Sequence, residues 1–319
     1  MGLPWVKNWD VYGRISKQGE ELYWIKGIVI NSINVIANHN RMKSFFKAIL
    51  FLLLLTALDF LLRKGLLAFY LPFQLPQNTN ILLLFTLFAL SAWQLTRWFG
   101  KSDKMTLRDL GITLSAQNRR EFYYGFVIGV VLWAVVSLLQ SFTAGFSWEL
   151  KPNVTWYYVV YGLLFIFIAD LGTELFTRGY PLQSFEKSVG SYSAILLMMV
   201  FVGFKSYSSQ VTGELLFYTI LIPVLHTLFF SIIYFKTRRL GAALGIHTGA
   251  NFVTISIFDL RPVNESQAIP SGVFQSDVDL ETLSLTALQL PWIFMAIVFS
   301  GIVFWWWKKG ANGHTEKFN

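Results

Sequence analysis

The feature that most constrains this chain is a set of long apolar runs divided by short polar stretches, among them Ala48–Leu62, Ile81–Trp93 and Pro291–Trp307. A run of that length is what a helix needs to cross the hydrocarbon core of a bilayer, about 30 Å thick. Of the 319 residues, 54% are hydrophobic and only 14% charged, against about 25% charged in an ordinary soluble domain. A compact soluble fold of this size has no room to hide so much apolar surface under so thin a polar skin. The pattern excludes a soluble enzyme, a disordered chain and a fibrous repeat. It predicts an all-α, polytopic transmembrane helical bundle of about eight spans, near 47–71, 80–98, 122–142, 155–177, 190–205, 214–235, 240–258 and 287–307.

Charge gives those spans a direction. The net charge is +8, which on a soluble protein would raise the question of nucleic acid. With eight crossings and a cytoplasmic N-terminus, however, 21 of the 26 Lys and Arg residues fall on the inside, as the positive-inside rule requires. The expectation is an integral protein of the plasma or inner membrane with both termini cytoplasmic and no nucleic-acid partner. The chain has no cysteine, so disulfides, thiolate nucleophiles and Cys-ligated metals are out. The opening MGLPWVKNWDVYGR lacks the apolar core of a signal peptide.

The spans are bracketed by less apolar segments. Residues 1–46 form a cytoplasmic or interfacial N-terminal segment, in which Glu20–Ala37 has the mixed pattern of a helix lying at the membrane surface. Residues 47–104 hold the first transmembrane helices and 105–258 the intramembrane core. Residues 259–286 make an acidic outer loop, and 287–319 the last span and a cytoplasmic tail. Trp305–Lys309 reads as an aromatic belt with a basic anchor.

Ionisable residues inside spans are expensive and mark the place to look for function. Asp170, Glu174 and Arg178 are spaced four apart and share one helix face. His247 and Asn251 share a face of a later span, beside Gly241, Gly245 and Gly249, whose spacing lets another helix approach closely. His226 lies inside the sixth span, Lys205 closes the fifth, and Asp59 and Arg63 lie in the first. Counted at about 1.5 Å per residue, Glu174, His226 and His247 reach similar depths and are expected to converge.

The run TELFTRGYPLQ at 173–183 and the His-x-x-x-Asn of GIHTGANF resemble two motifs of the CPBP family, intramembrane proteases related to CAAX prenyl endopeptidases and bacteriocin-immunity proteins. The resemblance covers about residues 105–258. It implies an intramembrane endopeptidase in which Glu174, Arg178, His247 and Asn251 are motif residues, with a membrane-embedded or lipid-linked polypeptide as partner alongside membrane lipid. Two positions depart from the pattern. The family's first Glu falls on Thr173, and the His of its Phe-x-x-x-His motif falls on Lys205 in FVGFK. In the family those two residues are thought to activate the attacking water, so the resemblance implies altered or lost peptidase activity.

Several readings stay open at this point. Glu174 or Asp170 could serve as base with His226 and His247 in support. Lys205 could instead pair with Glu174 and lock the site. A proton-coupled transporter would use Asp170, Glu174 and His226 as a relay. A zinc centre built from Glu174, His226 and His247 is disfavoured, because their spacing is not a recognised metal box. No cofactor is expected.

Overall fold

The computed structural model describes residues 39–63, 77–207, 209, 211–259, 272–279 and 282–311. The proposed interfacial helix at Glu20–Ala37, much of the outer loop and the end of the tail lie outside these residues. The elements in chain order are α1 (His39–Leu61), α2 (Gln77–Ser102), α3 (Ala116–Ala144), β1 (Trp148–Leu150) and α4 (Trp156–Glu174). They continue with α5 (Tyr180–Val189), α6 (Ser191–Ser206), α7 (Gly213–Thr237), α8 (Leu240–Asn251), β2 (Phe274–Ser276) and α9 (Leu285–Ala311). π-Helical stretches at Leu175–Gly179 and Phe252–Ile257 prolong α4 and α8.

The protein is an all-α helical bundle; among the described residues seven helices are long and apolar enough to cross a membrane, and α6 is a shorter apolar one. At about 1.5 Å per residue α6 is roughly 24 Å long, less than a full bilayer core. Large apolar side chains on the outside of the bundle, such as Val127, Val131 and Val135 on α3, are exposed. In a bilayer this is a face turned to lipid rather than a packing defect. Among the described residues the exception to the helices is the antiparallel pair β1–β2, with Glu149 opposite Gln275.

One expectation about local structure needs correcting. Residues 178–187, which fall between the expected spans 155–177 and 190–205 and count there as an inside segment, are helical. Helix α4 runs through its π-helical stretch into α5, so the segment Trp156–Val189 is helical but for a backbone break at Gly179, where ψ is −111°. Gly179 and Pro181 look like breakers, yet Pro181 sits in the first turn of α5, where it removes no needed N–H. Arg178, counted among the inside basic residues, is only 2% exposed and belongs to the interior.

The tightest helix pair is α3 against α8. A Cβ on Gly245 would collide with the carbonyl of Phe122, and one on Gly249 with that of Phe126. The fit is reciprocal: a Cβ on Gly125 would stand 2.6 Å from the Ala242 carbonyl. The glycine face of α8 therefore docks on α3, which has glycines of its own at 125 and 129. Ser115 caps α3, its hydroxyl accepting from the Asn118 amide. Asn118 Oδ1 accepts from the Gly241 amide at 2.7 Å, so the start of α8 is pinned as well.

The basic clusters gather at one end of the bundle. Lys47 pairs with Asp103 between α1 and the end of α2. Arg239 pairs with Glu121 on α3, Arg238 with Glu186 on α5, and Lys236 donates to the Trp306 carbonyl of α9. For Arg238 and Arg239 these carboxylate hydrogen bonds lead the factors holding the guanidinium charge in place.

Candidate functional site

Helix α4 carries Asp170 and Glu174 inward at 3% and 0% exposure, and Arg178 follows one turn later. Arg178 Nη1 donates to Glu174 Oε1 at 2.7 Å and to the Thr177 hydroxyl at 2.8 Å. Helix α8 supplies the other half. His247 Nδ1 lies 2.9 Å from the same Glu174 Oε1, and its Nε2 lies 3.5 Å from Asp170 Oδ1. Asn251 Nδ2 donates to Asp170 Oδ1 at 2.7 Å. Five side chains from two helices thus form one buried network, with two carboxylates set against one guanidinium and one imidazole. Paired in this way, charges can persist at membrane depth.

The backbone changes character within this network, since Arg178 lies in the first π-helical stretch. On α4 the π-helical stretch begins at the residue after Glu174, and on α8 it begins at the residue after Asn251. Such stretches are rare and cluster at functional sites. Phe230 of α7 covers the network: its ring stacks on His247 with centroids 4.9 Å apart, and the Arg178 guanidinium carbon lies 5.1 Å from its centre. Sequence reasoning passed over Phe230, because one phenylalanine in an apolar span carries no local mark.

The remaining expected residues lie elsewhere. His226 does not join Glu174 and His247. It sits among aromatic rings, 5.8 Å from Trp133, 5.7 Å from Trp292 and 6.0 Å from Phe230. The Thr173 hydroxyl donates to the Ala169 carbonyl at 3.0 Å, folded back on its own helix. Lys205 does not pair with Glu174 either. Its Nζ lies 3.5 Å from Asp59 Oδ2 and 4.2 Å from the centre of the Phe176 ring. Asp59 also accepts from Arg63 Nε at 2.8 Å, so one carboxylate serves two cations.

Against known families, residues 154–253 match the model described as Rce1-like, type II CAAX prenyl endopeptidase. Over this segment the chain is similar to the CPBP/CAAX protease family. Comparison with curated proteins and with solved structures gave no match.

The matched segment contains every residue of the buried network. It also contains both departures, Thr173 and Lys205. Glu174 Oε2 and Arg178 Nε have no hydrogen-bond partner among the described residues. The imidazole of His247 is the network's partly open member, with its side chain 17% exposed. No group of three or more His, Cys, Asp or Glu side chains among the described residues is arranged to hold a metal ion.

Proposed function

We propose that this CPBP/CAAX-family protein recognises a membrane-embedded or lipid-linked polypeptide without cleaving it. The observation that carries this reading is where the two substituted positions spend their polar groups. Thr173 is committed to a helix carbonyl and Lys205 to Asp59 and Phe176. The resemblance assigns water activation to those two positions, and here neither offers a carboxylate or an imidazole. Glu174 Oε1 is already shared between Arg178 and His247, an arrangement that suits a structural ion network inside an apolar bundle.

A second reading keeps the peptidase with a rearranged base, and one observation favours it. Glu174 Oε2 is free of partners among the described residues, with His247 beside it to polarise a carbonyl. The two readings separate in one experiment. Purified protein in liposomes is incubated with a prenylated peptide ending in a CAAX sequence and with its unprenylated counterpart. The expected result is photo-crosslinking of the prenylated peptide without cleavage. Site-specific cleavage that disappears in Glu174→Ala would establish the second reading, and failure to capture either peptide would remove the recognition role.

The gathering of basic residues at one end of the bundle supports placement in the plasma or inner membrane with both termini in the cytoplasm.

A further inference from the structure

Three exposed cations at the end of α2 have no role in the network described above. Arg97, Lys101 and Lys104 line an open cleft of about 360 Å³ whose other walls are Met105, Thr106 and Leu107. No acid lines it. The neighbouring acids are occupied: Asp103 accepts from the Tyr180 hydroxyl at 2.6 Å and pairs with Lys47, and Glu121 holds Arg239. Asp109 accepts from both the amide and the hydroxyl of Thr106, at 2.7 and 2.8 Å. Arg97, Lys101 and Lys104 form no ion pair among the described residues. Lys104 also takes a left-handed backbone conformation, with φ of 58°, which residues other than glycine adopt only under constraint.

A second hollow adjoins this one. A groove of about 450 Å³ runs between α2, α3, α4 and α8, walled by Trp93, Phe122, Phe167, Leu171 and Leu244, with Arg119 at its rim. The two are neighbours. Trp93, Arg97 and Lys101 are spaced four apart along one face of α2, running from groove to cleft. The Ile112 amide, at the groove, donates to the Leu107 carbonyl, at the cleft, at 2.8 Å. An apolar slot beside a triad of cations with no acid among its lining residues has the complementarity of one kind of molecule.

We propose that this is a binding site for an anionic phospholipid, with its phosphate held by Arg97, Lys101 and Lys104 and an acyl chain lying in the groove. The cleft sits at the basic end of the bundle, where juxtamembrane cations meet lipid headgroups and each contributes to holding anionic lipid. The apolar lining of the groove distinguishes a lipid from a free phosphate, which would need the cations alone. The proposal does not depend on the peptidase or recognition reading, since it uses none of the residues of the buried network.

The test titrates detergent-solubilised full-length protein with dioleoyl phosphatidylglycerol, dioleoyl phosphatidylcholine or glycerol 3-phosphate, and counts bound molecules by native mass spectrometry. Phosphatidylglycerol is expected to bind first and tightest, at least about tenfold ahead of phosphatidylcholine. The variant Arg97→Gln/Lys101→Gln/Lys104→Gln should lose that preference. A control that removes equal charge at the same end, Arg41→Gln/Lys43→Gln/Lys308→Gln, should keep it. Both variants are checked for an unchanged elution volume and melting temperature. Equal binding of the two lipids, an unaffected first variant, or glycerol 3-phosphate matching phosphatidylglycerol would each overturn the proposal. If the first variant misfolds, the comparison is repeated with Lys104→Gln alone, which must weaken phosphatidylglycerol and leave phosphatidylcholine unchanged.

Discussion

His247 Nδ1 and Arg178 Nη1 meet on a single oxygen, Glu174 Oε1, at 2.9 and 2.7 Å. That shared acceptor makes Glu174 the keystone of the buried network. Glu174→Ala leaves Arg178 charged, buried and without its carboxylate, at a cost of about 3–5 kcal/mol. The double variant Glu174→Leu/Arg178→Met should recover most of that loss, since buried ion pairs often exchange for apolar residues at little cost. Melting temperatures of the purified proteins in one detergent decide the matter.

Asp59 neutralises two cations while Lys205 has aromatic rings as well as a carboxylate beside it. Asp59→Asn should therefore destabilise more than Lys205→Met. The first leaves two cations facing each other beside a neutral amide. The second removes a partly exposed pair and its ring contact, together worth about 1 kcal/mol. The ordering is read from thermal melts, and a reversed order would deny Asp59 its central position.

The two glycines Gly245 and Gly145 separate steric from conformational demands. Gly245→Ala drives a methyl into the Phe122 carbonyl and should cost roughly 1–3 kcal/mol by forcing α3 and α8 apart. Gly145→Ala meets no atom within 4 Å, but its φ of 75° penalises any side chain by about 1 kcal/mol. Unfolding midpoints should fall further for the first, and only the first should disturb the buried network.

Asp109 is fully exposed, and hydrogen bonds from Thr106 pull its carboxyl below the ordinary aspartate range. A folded-state pKa that is depressed adds stability above the unfolded value, and that stability is lost as pH falls through the folded value. The difference in melting temperature between the protein and Asp109→Asn should hold steady near neutral pH. It should shrink on acidification through the range below ordinary aspartates.

Because the chain has no cysteine, single-cysteine variants report topology without background. A thiol reagent that cannot cross the membrane should reach Lys104→Cys and Lys309→Cys from the cytoplasmic side. It should reach Gln275→Cys, on β2, from the opposite side. Labelling of all three from one side would invert or break the assigned orientation.

The helical spans were legible because apolar length is a local property. So was the close-packing face of α8, since glycines spaced by four leave one face bare whatever docks there. Glu174, Arg178, His247 and Asn251 were singled out by spacing and resemblance, and the structure brings them together with Asp170. The partners of Lys205 were not legible. Asp59 lies 146 positions away in sequence, and nothing local to FVGFK points to it. His226 was expected near Glu174 from depth along its helix, but depth says nothing about the direction in which a side chain faces. Residues 178–187 misled because glycine and proline look the same at a loop and at the first turn of a helix.

The π-helical stretches after Glu174 and Asn251 bear on how the bundle can move. Each widens the hydrogen-bonded ring of its helix from 13 atoms and loosens the ladder there. The network therefore meets a joint on each of its two helices, the first of which carries Arg178 itself, while the α-helical turns that carry Asp170, Glu174, His247 and Asn251 stay rigid. Backbone amides in 175–179 and 252–257 should exchange with deuterium faster than those of the turns before them. A partner leaning on either far segment could then swing it while His247 and Glu174 stay in register.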